Sequence, residues 1–355
     1  MTLEDLGYPE DLNTYRKINH LEEFDVGRVI SEHKERYIVK TQAGDYDSEI
    51  TGTLRYTADN RSDFPAVGDW VALSVYDEDK ALILAVFPRK TVIGRKAVGQ
   101  YGEKQIIAAN IDIAFIVQAV DRDFNINRME RYLTLCNESK IECVLILSKT
   151  DLVSETEVSS RIAEVSGRLT GVPVIAVSNQ TGRGIDKLKE VIVKGRTCCL
   201  LGSSGVGKST LINSLAGRPL METGEINESI QRGRHVTSHR ELIILENGGI
   251  LIDNPGMREV GITGSSDGID GTFDIIAELS GSCKFKNCTH TTETGCAVLE
   301  AVQQKRIDPG AYENYLKLER ERKFFAMTHA EKRKREKDFG KMAKNLMKMK
   351  KREKR

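Results

Sequence analysis

No run of apolar residues in this 355-residue chain reaches the roughly 20 that a bilayer-spanning helix needs. A soluble protein is expected. The amino terminus, MTLEDLGYPEDLNTYRK, lacks both the basic start and the apolar core of a secretory leader, so the cytoplasm is the expected location. Cysteine is sparse and odd in number, seven in all, which in a cytosolic setting argues against a disulfide framework. Net charge is nearly absent at +1, yet residues 317–355 hold 17 Lys and Arg against 6 Asp and Glu. That tail is +11 and the remainder −10, an imbalance that favours a polyanionic partner. The sequence offers no bulky amphipathic face for a membrane surface.

The length suits two or three modules. Residues 24–88 alternate apolar and polar positions in short runs, such as Val26 to Ile30, Tyr37 to Lys40 and Trp70 to Leu73, with turn residues between them. About five strands fit a small OB-like barrel, with a small β-sandwich as the alternative. From Ile111 the pattern becomes buried strands alternating with amphipathic helices, at Ile111 to Val120, Asn127 to Ser139, Glu142 to Leu147, Val172 to Val177 and Thr197 to Leu201. That alternation means a parallel, doubly wound α/β sheet. Two further strands are expected at Glu241 to Glu246 and Gly249 to Ile252. A cysteine-rich segment past Gly281 and a basic, helix-prone end follow.

Gly202-Ser203-Ser204-Gly205-Val206-Gly207-Lys208-Ser209-Thr210 matches the phosphate-binding pattern G-x-x-x-x-G-K-[ST], between the strand Cys198 to Leu201 and a helical run, Leu211 to Ala216. The glycines let backbone N–H groups face phosphate oxygens, Lys208 adds a mobile positive charge, and Ser209 is the expected Mg²⁺ ligand. Asp253 ends an apolar strand and leads into Asn254-Pro255-Gly256, where a second Mg²⁺ ligand and a γ-phosphate sensor belong. Ser148-Lys149-Thr150-Asp151 stands where a guanine reader of the form N-K-x-D would, after the strand Val144 to Leu147. Asp151 is the acceptor for the base N1 and N2 protons, and Ser178 is the best match for the hydroxyl residue that closes over the base. Both base elements precede the phosphate loop. A sheet tolerates such a permutation provided that each strand end delivers its loop to the same edge. Cys283, Cys288, His290 and Cys296, spaced C-x4-C-x-H-x5-C, supply three thiolates and an imidazole, the donor set of a closed structural Zn²⁺ site.

These motifs, in this order and behind a barrel, resemble the circularly permuted small-ribosomal-subunit biogenesis GTPases of the RsgA (YjeQ/YloQ) family over essentially the whole chain. The resemblance implies GTP hydrolysis to GDP and binding to the small ribosomal subunit and its 16S rRNA. It implies help in late assembly and release on hydrolysis; no membrane partner and a monomer are expected. It implies three domains: 1–95 an OB-like RNA-binding barrel, 96–265 the GTPase domain in the order base, base, phosphate, first switch, second switch, and 266–355 a mainly helical zinc domain with the basic tail. By the family's G-x-H-T-T-T segment, Thr237 joins the Mg²⁺ shell and His235 positions the attacking water, whereas His239 matches no family position. Two departures stand out. Ser148 replaces the family's Asn and cannot span guanine O6 and N7 as an amide does, leaving discrimination against adenine to Asp151. Met257 occupies the place where many GTPases carry a water-orienting Gln. The rival reading is a non-catalytic RNA-binding scaffold switched by nucleotide.

Overall fold

The structure is a computed structural model describing residues 1–33, 35–96, 104–121, 124–221, 240–253, 266–328, 330–331, 333–335 and 337. After a short helix α1 (Leu12–Ile18), five strands follow: β1 (Asp25–His33), β2 (Arg36–Lys40), β3 (Asp45–Ile50), β4 (Trp70–Asp77) and β5 (Lys80–Val86), with α2 (Gly52–Thr57) between β3 and β4. Their pairing order, β1-β2-β3-β5-β4 with β4 returning to β1, closes a barrel. Val29, Tyr37, Val39, Val71, Leu73 and Ile83 fill it. The alternation seen in the sequence is this inward and outward facing of successive side chains.

One strand serves two sheets. The first half of β1 pairs with β4 through Asp25 to Arg28, while Ser31 and Glu32 pair antiparallel with Glu241 and Arg240. A register shift between Val29 and Ser31 marks a bulge that re-aims the strand at the changeover. The sequence reading took barrel and doubly wound sheet as separate. Through this junction they form one eleven-stranded sheet.

The second part consists of β8 (Ile113–Ala119), β9 (Glu142–Ser148), β10 (Val174–Ala176), β11 (Thr197–Leu201), β12 (Arg240–Ile244) and β13 (Ile250–Asp253), in the order β10-β9-β8-β11-β13-β12. All neighbours are parallel except β12, which is antiparallel to β13. A hairpin of β6 (Val92–Lys96) and β7 (Lys104–Ala109) precedes it and crosses the expected domain limit at residue 95. Alternate residues of each central strand feed two cores, as a sheet covered on both faces requires. Phe115, Val117, Ile146 and Leu200 meet α5 (Ile185–Val191) and α6 (Lys208–Ala216). Ile116, Leu145, Leu147 and Leu201 face the side that carries α3 (Ile126–Glu138) and α4 (Glu155–Arg168). Asn125 and Ser154 cap these two helices, each accepting from a backbone N–H in the first turn.

The carboxy-terminal helices α7 (Asp267–Thr272), α8 (Asp274–Ser280), α9 (Ala297–Gln303) and α10 (Pro309–Ala326) share the α3 core. Ile269, Phe273, Ile276, Val298, Ala301 and Leu318 are buried in it. A polar brace adds to this contact. The buried Glu130 carboxylate accepts from Arg168 Nε at 2.6 Å and from Asn314 Nδ2 at 2.6 Å, joining α3, α4 and α10.

Arg28, only 1 % exposed, is the matching brace at the barrel side. Its guanidinium donates to the carbonyls of Leu6, Gly68 and Asn110 and to Thr197 Oγ1, and lies 5.3 Å from the Trp70 ring centroid. Burial pushes its pKa down to about 10, with Asp112 and Asp69 opposing. Thr197 begins β11, so the barrel is hydrogen-bonded to the strand that leads into the phosphate loop.

Candidate nucleotide site and metal cluster

Parallel register brings the expected loops to one edge. Leu201 lies opposite Ile116, Ala119 opposite Ser148, Leu147 opposite Ala176 and Ile252 opposite Cys199. The carboxyl ends of β8, β9, β10, β11 and β13 therefore deliver Asp121, Ser148 to Asp151, Ser178, Gly202 to Gly207 and Asp253 to the same side, where open α/β sheets bind ligands. Asp253 is the last residue of its strand, as the sequence pattern predicts.

The phosphate loop departs from ordinary backbone where its glycines stand. Gly202 has φ +153, and a Cβ there would lie 2.4 Å from the Val117 carbonyl oxygen. The positive φ of Gly207 ends the turn just before α6, a helix start of the kind that attracts an anion. Val206 is buried in the α5/α6 core and anchors the loop. The Lys208 ammonium folds back onto its own loop, donating to the carbonyls of Gly202 at 2.8 Å and Ser203 at 2.6 Å. Ser209 and Thr210 are exposed in the first turn of α6.

The base loops are locked together. Ser148, 1 % exposed, donates through Oγ to the Val206 carbonyl at 2.7 Å, tying the base motif to the phosphate loop. Lys149 takes a left-handed conformation, φ 58, and its ammonium sits 3.2 Å from Asp121 Oδ2. Ser178 Oγ donates to Asp151 Oδ1, fixing the carboxylate, and accepts from Thr181 N. Thr150 is buried, and its hydroxyl has no hydrogen-bond partner among the described residues. Two residues of this site were not singled out in the sequence. Asp121 follows the apolar run Ile111 to Val120, and an acid at a strand end was the available signal. Asn179 directly follows Ser178, and its Nδ2 reaches the Gly207 carbonyl at 3.4 Å.

Cys283, Cys288, His290 and Cys296 converge, with ligand atoms all within 4.8 Å of one another. Cys283 Sγ lies 3.6 Å from His290 Nδ1 and 3.9 Å from Cys296 Sγ, and His290 Nδ1 lies 3.4 Å from Cys296 Sγ. The loop is held from outside by Glu293, whose carboxylate accepts from Thr289 and from the backbone N–H groups of Thr291 and Thr292. Those bonds, led by Thr289, hold its pKa well below the usual carboxylate range. Tyr312 of α10 donates to the His290 carbonyl. Three sulfurs and one nitrogen at such spacing suit a single metal ion.

His235, Thr237, His239, Gly256 and Met257 lie outside the described residues, as does the tail beyond residue 337. Among the described residues, no helix is long and apolar enough to cross a membrane.

Fold and site define a circularly permuted P-loop GTPase: the base loops precede the phosphate loop in the chain yet share its sheet edge. Comparison with known proteins agrees. The family model described as RsgA GTPase matches residues 86–263. A model described as ABC transporter matches residues 185–343, which include the phosphate loop but neither the base motif nor the barrel. "Small ribosomal subunit biogenesis GTPase RsgA 1" of Bacteroides thetaiotaomicron is 38% identical, with 97% of this chain and 96% of that one covered. "Small ribosomal subunit biogenesis GTPase RsgA 2" of Lactiplantibacillus plantarum is 43% identical over 83% of each chain. The crystal structure of YjeQ from Thermotoga maritima superposes with a TM-score of 0.62 at 26% identity, covering 83% of this chain and 96% of that one. That of YloQ, described as a circularly permuted GTPase, has a TM-score of 0.61 at 22% identity, covering 87% and 99%. The chain belongs to the RsgA GTPase family and is a GTP hydrolase.

Proposed function

We propose that this GTPase binds the small ribosomal subunit through 16S rRNA in its GTP state, assists late assembly in the cytoplasm, and leaves when GTP is hydrolysed. The observation that carries the reading is the shared sheet edge, where a phosphate loop, a base reader and Asp253 meet between a barrel and a metal-cluster module. The relatives' names supply the subunit.

In this reading Asp151, oriented by Ser178, accepts the guanine N1 and N2 protons, and Lys149 lies along the ring. Thr150 completes the motif. Gly202 to Gly207 cradle the phosphates, and Lys208 exchanges its loop carbonyls for β- and γ-phosphate oxygens. Ser209 and Asp253 hold Mg²⁺, the general metal of such GTPases, with Thr237 as a third ligand. Thr210 supplies a backbone N–H at the helix start, Gly256 senses the γ-phosphate, and His235 positions the water. The metal neutralises charge that builds up on the phosphate oxygens in transfer to water.

The cluster's metal is Zn²⁺ in a structural role. Zn–S near 2.3 Å and Zn–N near 2.0–2.1 Å give tetrahedral edges of about 3.8 Å between sulfurs and about 3.6 Å between sulfur and nitrogen. The 3.4–3.9 Å separations among Cys283, His290 and Cys296 fit that figure, and Cys288 Sγ lies within 4.8 Å of all three ligand atoms. With four protein ligands no position is left for catalysis. GTP turnover with and without purified small subunits tests the whole reading. Strong stimulation supports it, and tight binding with no turnover would make the protein a switched scaffold instead.

A further inference from the structure

We propose that Asn179 supplies the amide missing from position 148, donating a hydrogen bond to N7 of a bound guanine. The inference rests on reading residues 148–151 and 178 as the base site.

Ser148 has no donor left for a base. A hydroxyl carries one proton, and that proton goes to the Val206 carbonyl at 2.7 Å inside a side chain that is 1 % exposed. Ser148 therefore keeps the tie between base motif and phosphate loop but not the second reach of an amide. Asn179 enters the same junction from the neighbouring loop. Its predecessor Ser178 holds the Asp151 carboxylate, and its own Nδ2 meets the carbonyl of Gly207, the residue after Val206. A Cβ on Gly207 would stand 3.4 Å from that nitrogen, so the amide lies directly against the phosphate loop. Positions 148 and 179 thus engage consecutive carbonyls of one loop.

The bonding of Asn179 is unfinished. Its amide has two N–H donors and an acceptor oxygen, and one long contact of 3.4 Å uses a single donor. Oδ1 is buried and has no hydrogen-bond partner among the described residues. Turning the amide over would set Oδ1 against the Gly207 carbonyl oxygen, two acceptors face to face, so Nδ2 keeps the loop side. N7 is an acceptor, so the group it can take is the second Nδ2 proton, which the single contact with Gly207 leaves over. Adenine also carries N7, so Asn179 adds affinity for a purine while the choice of guanine stays with Asp151. A simple brace of Gly207 would instead affect all nucleotides alike.

The test uses the full chain with Mg²⁺ and compares GDP with 7-deaza-GDP, which lacks only the N7 acceptor. We expect the unaltered protein to bind 7-deaza-GDP about tenfold more weakly, a difference of about 1.4 kcal/mol. Asn179→Ala is expected to weaken GDP by the same factor while leaving 7-deaza-GDP unchanged, and Ser148→Asn added to it to restore the preference. Equal binding of the two nucleotides by the unaltered protein overturns the proposal without any variant. Uniform weakening in Asn179→Ala makes the residue a brace and overturns it too. Asp151→Asn checks the underlying site separately, because it should move the preference from GDP to the xanthosine diphosphate. If that exchange fails, the base site is misread and the proposal falls with it. If it succeeds, the 7-deaza result judges Asn179 alone.

Discussion

Removing the Glu130 carboxylate should loosen the carboxy-terminal helices from α3 before it unfolds anything else. Glu130 is 1 % exposed and accepts from Arg168 Nε at 2.6 Å, Arg168 Nη2 at 2.9 Å and Asn314 Nδ2 at 2.6 Å. Arg168 also contacts Asn127 and Asp308, but Glu130 is its only bidentate partner. Glu130→Ala takes the bidentate partner from the Arg168 guanidinium and leaves the Asn314 amide only its longer bond to the Asn127 carbonyl, and breaking a buried pair from one side costs about 3–5 kcal/mol. Glu130→Gln keeps the shape and loses the charge, for about 1–3 kcal/mol. Glu130→Leu with Arg168→Met removes both charges and should cost less than the sum of Glu130→Leu and Arg168→Met made singly, so the cycle returns a coupling of about 2–3 kcal/mol. Domain stabilities of about 5–15 kcal/mol make the single loss large. Urea midpoints give the energies, and hydrogen exchange of α10 gives the place. A cost below about 1 kcal/mol for Glu130→Ala, or a coupling near zero, would refute the reasoning.

The same carboxyl predicts a pH effect. Burial raises its pKa against the pull of Arg168, so the folded state holds the proton more tightly than the unfolded chain. Stability from this site is fullest below the unfolded carboxyl's pKa and is lost as pH rises through the folded one, so Glu130→Gln should flatten a urea-midpoint profile as pH rises above the ordinary carboxylate range. His235→Ala should leave nucleotide affinity nearly intact and cut turnover at least about tenfold, roughly 1.4 kcal/mol of barrier; unchanged single-turnover kinetics would remove His235 from the chemistry. Chelation should expose the loop between Cys283 and Cys296 to exchange while α10 stays protected, because Phe273, Val298 and Leu318 are each buried against the α3 core for roughly 1.5–3 kcal/mol. Global unfolding in one step would contradict this. Deleting residues 338–355, with 8 Lys and Arg against 2 acids, should weaken subunit binding and flatten its salt dependence. An unchanged salt slope would free the tail of that role.

Features that repeat within a few residues were legible in the sequence. Glycine at 202, 205 and 207 followed by Lys208 needs only local backbone geometry, and strand and helix appear on either side of it. The four zinc-type ligands fall within 14 residues and meet in space. What escaped depends on partners far along the chain. Arg28 looks like an ordinary strand arginine until Thr197 closes on it, and nothing near Glu130 announces Asn314. Asn179 stood beside a residue already chosen, but its value appears only once Gly207 lies against it. The carboxy-terminal module is separate in the sequence pattern, and only the structure shows its apolar residues completing a core begun by α3.

The bulged strand that joins the two sheets also sets an order of events during synthesis. The barrel strands are complete by residue 86, but the partner of Ser31 and Glu32 lies more than 200 residues further on, at Glu241 and Arg240. At about 5–20 residues per second the nascent chain carries a closed barrel with one bare strand end for roughly 8–30 s. An unpaired edge of that kind is open to wrong strands, and only two residues of it, in the lee of a bulge, are left exposed. The short ladder makes the final closure slow to find but leaves little for a stranger to grip.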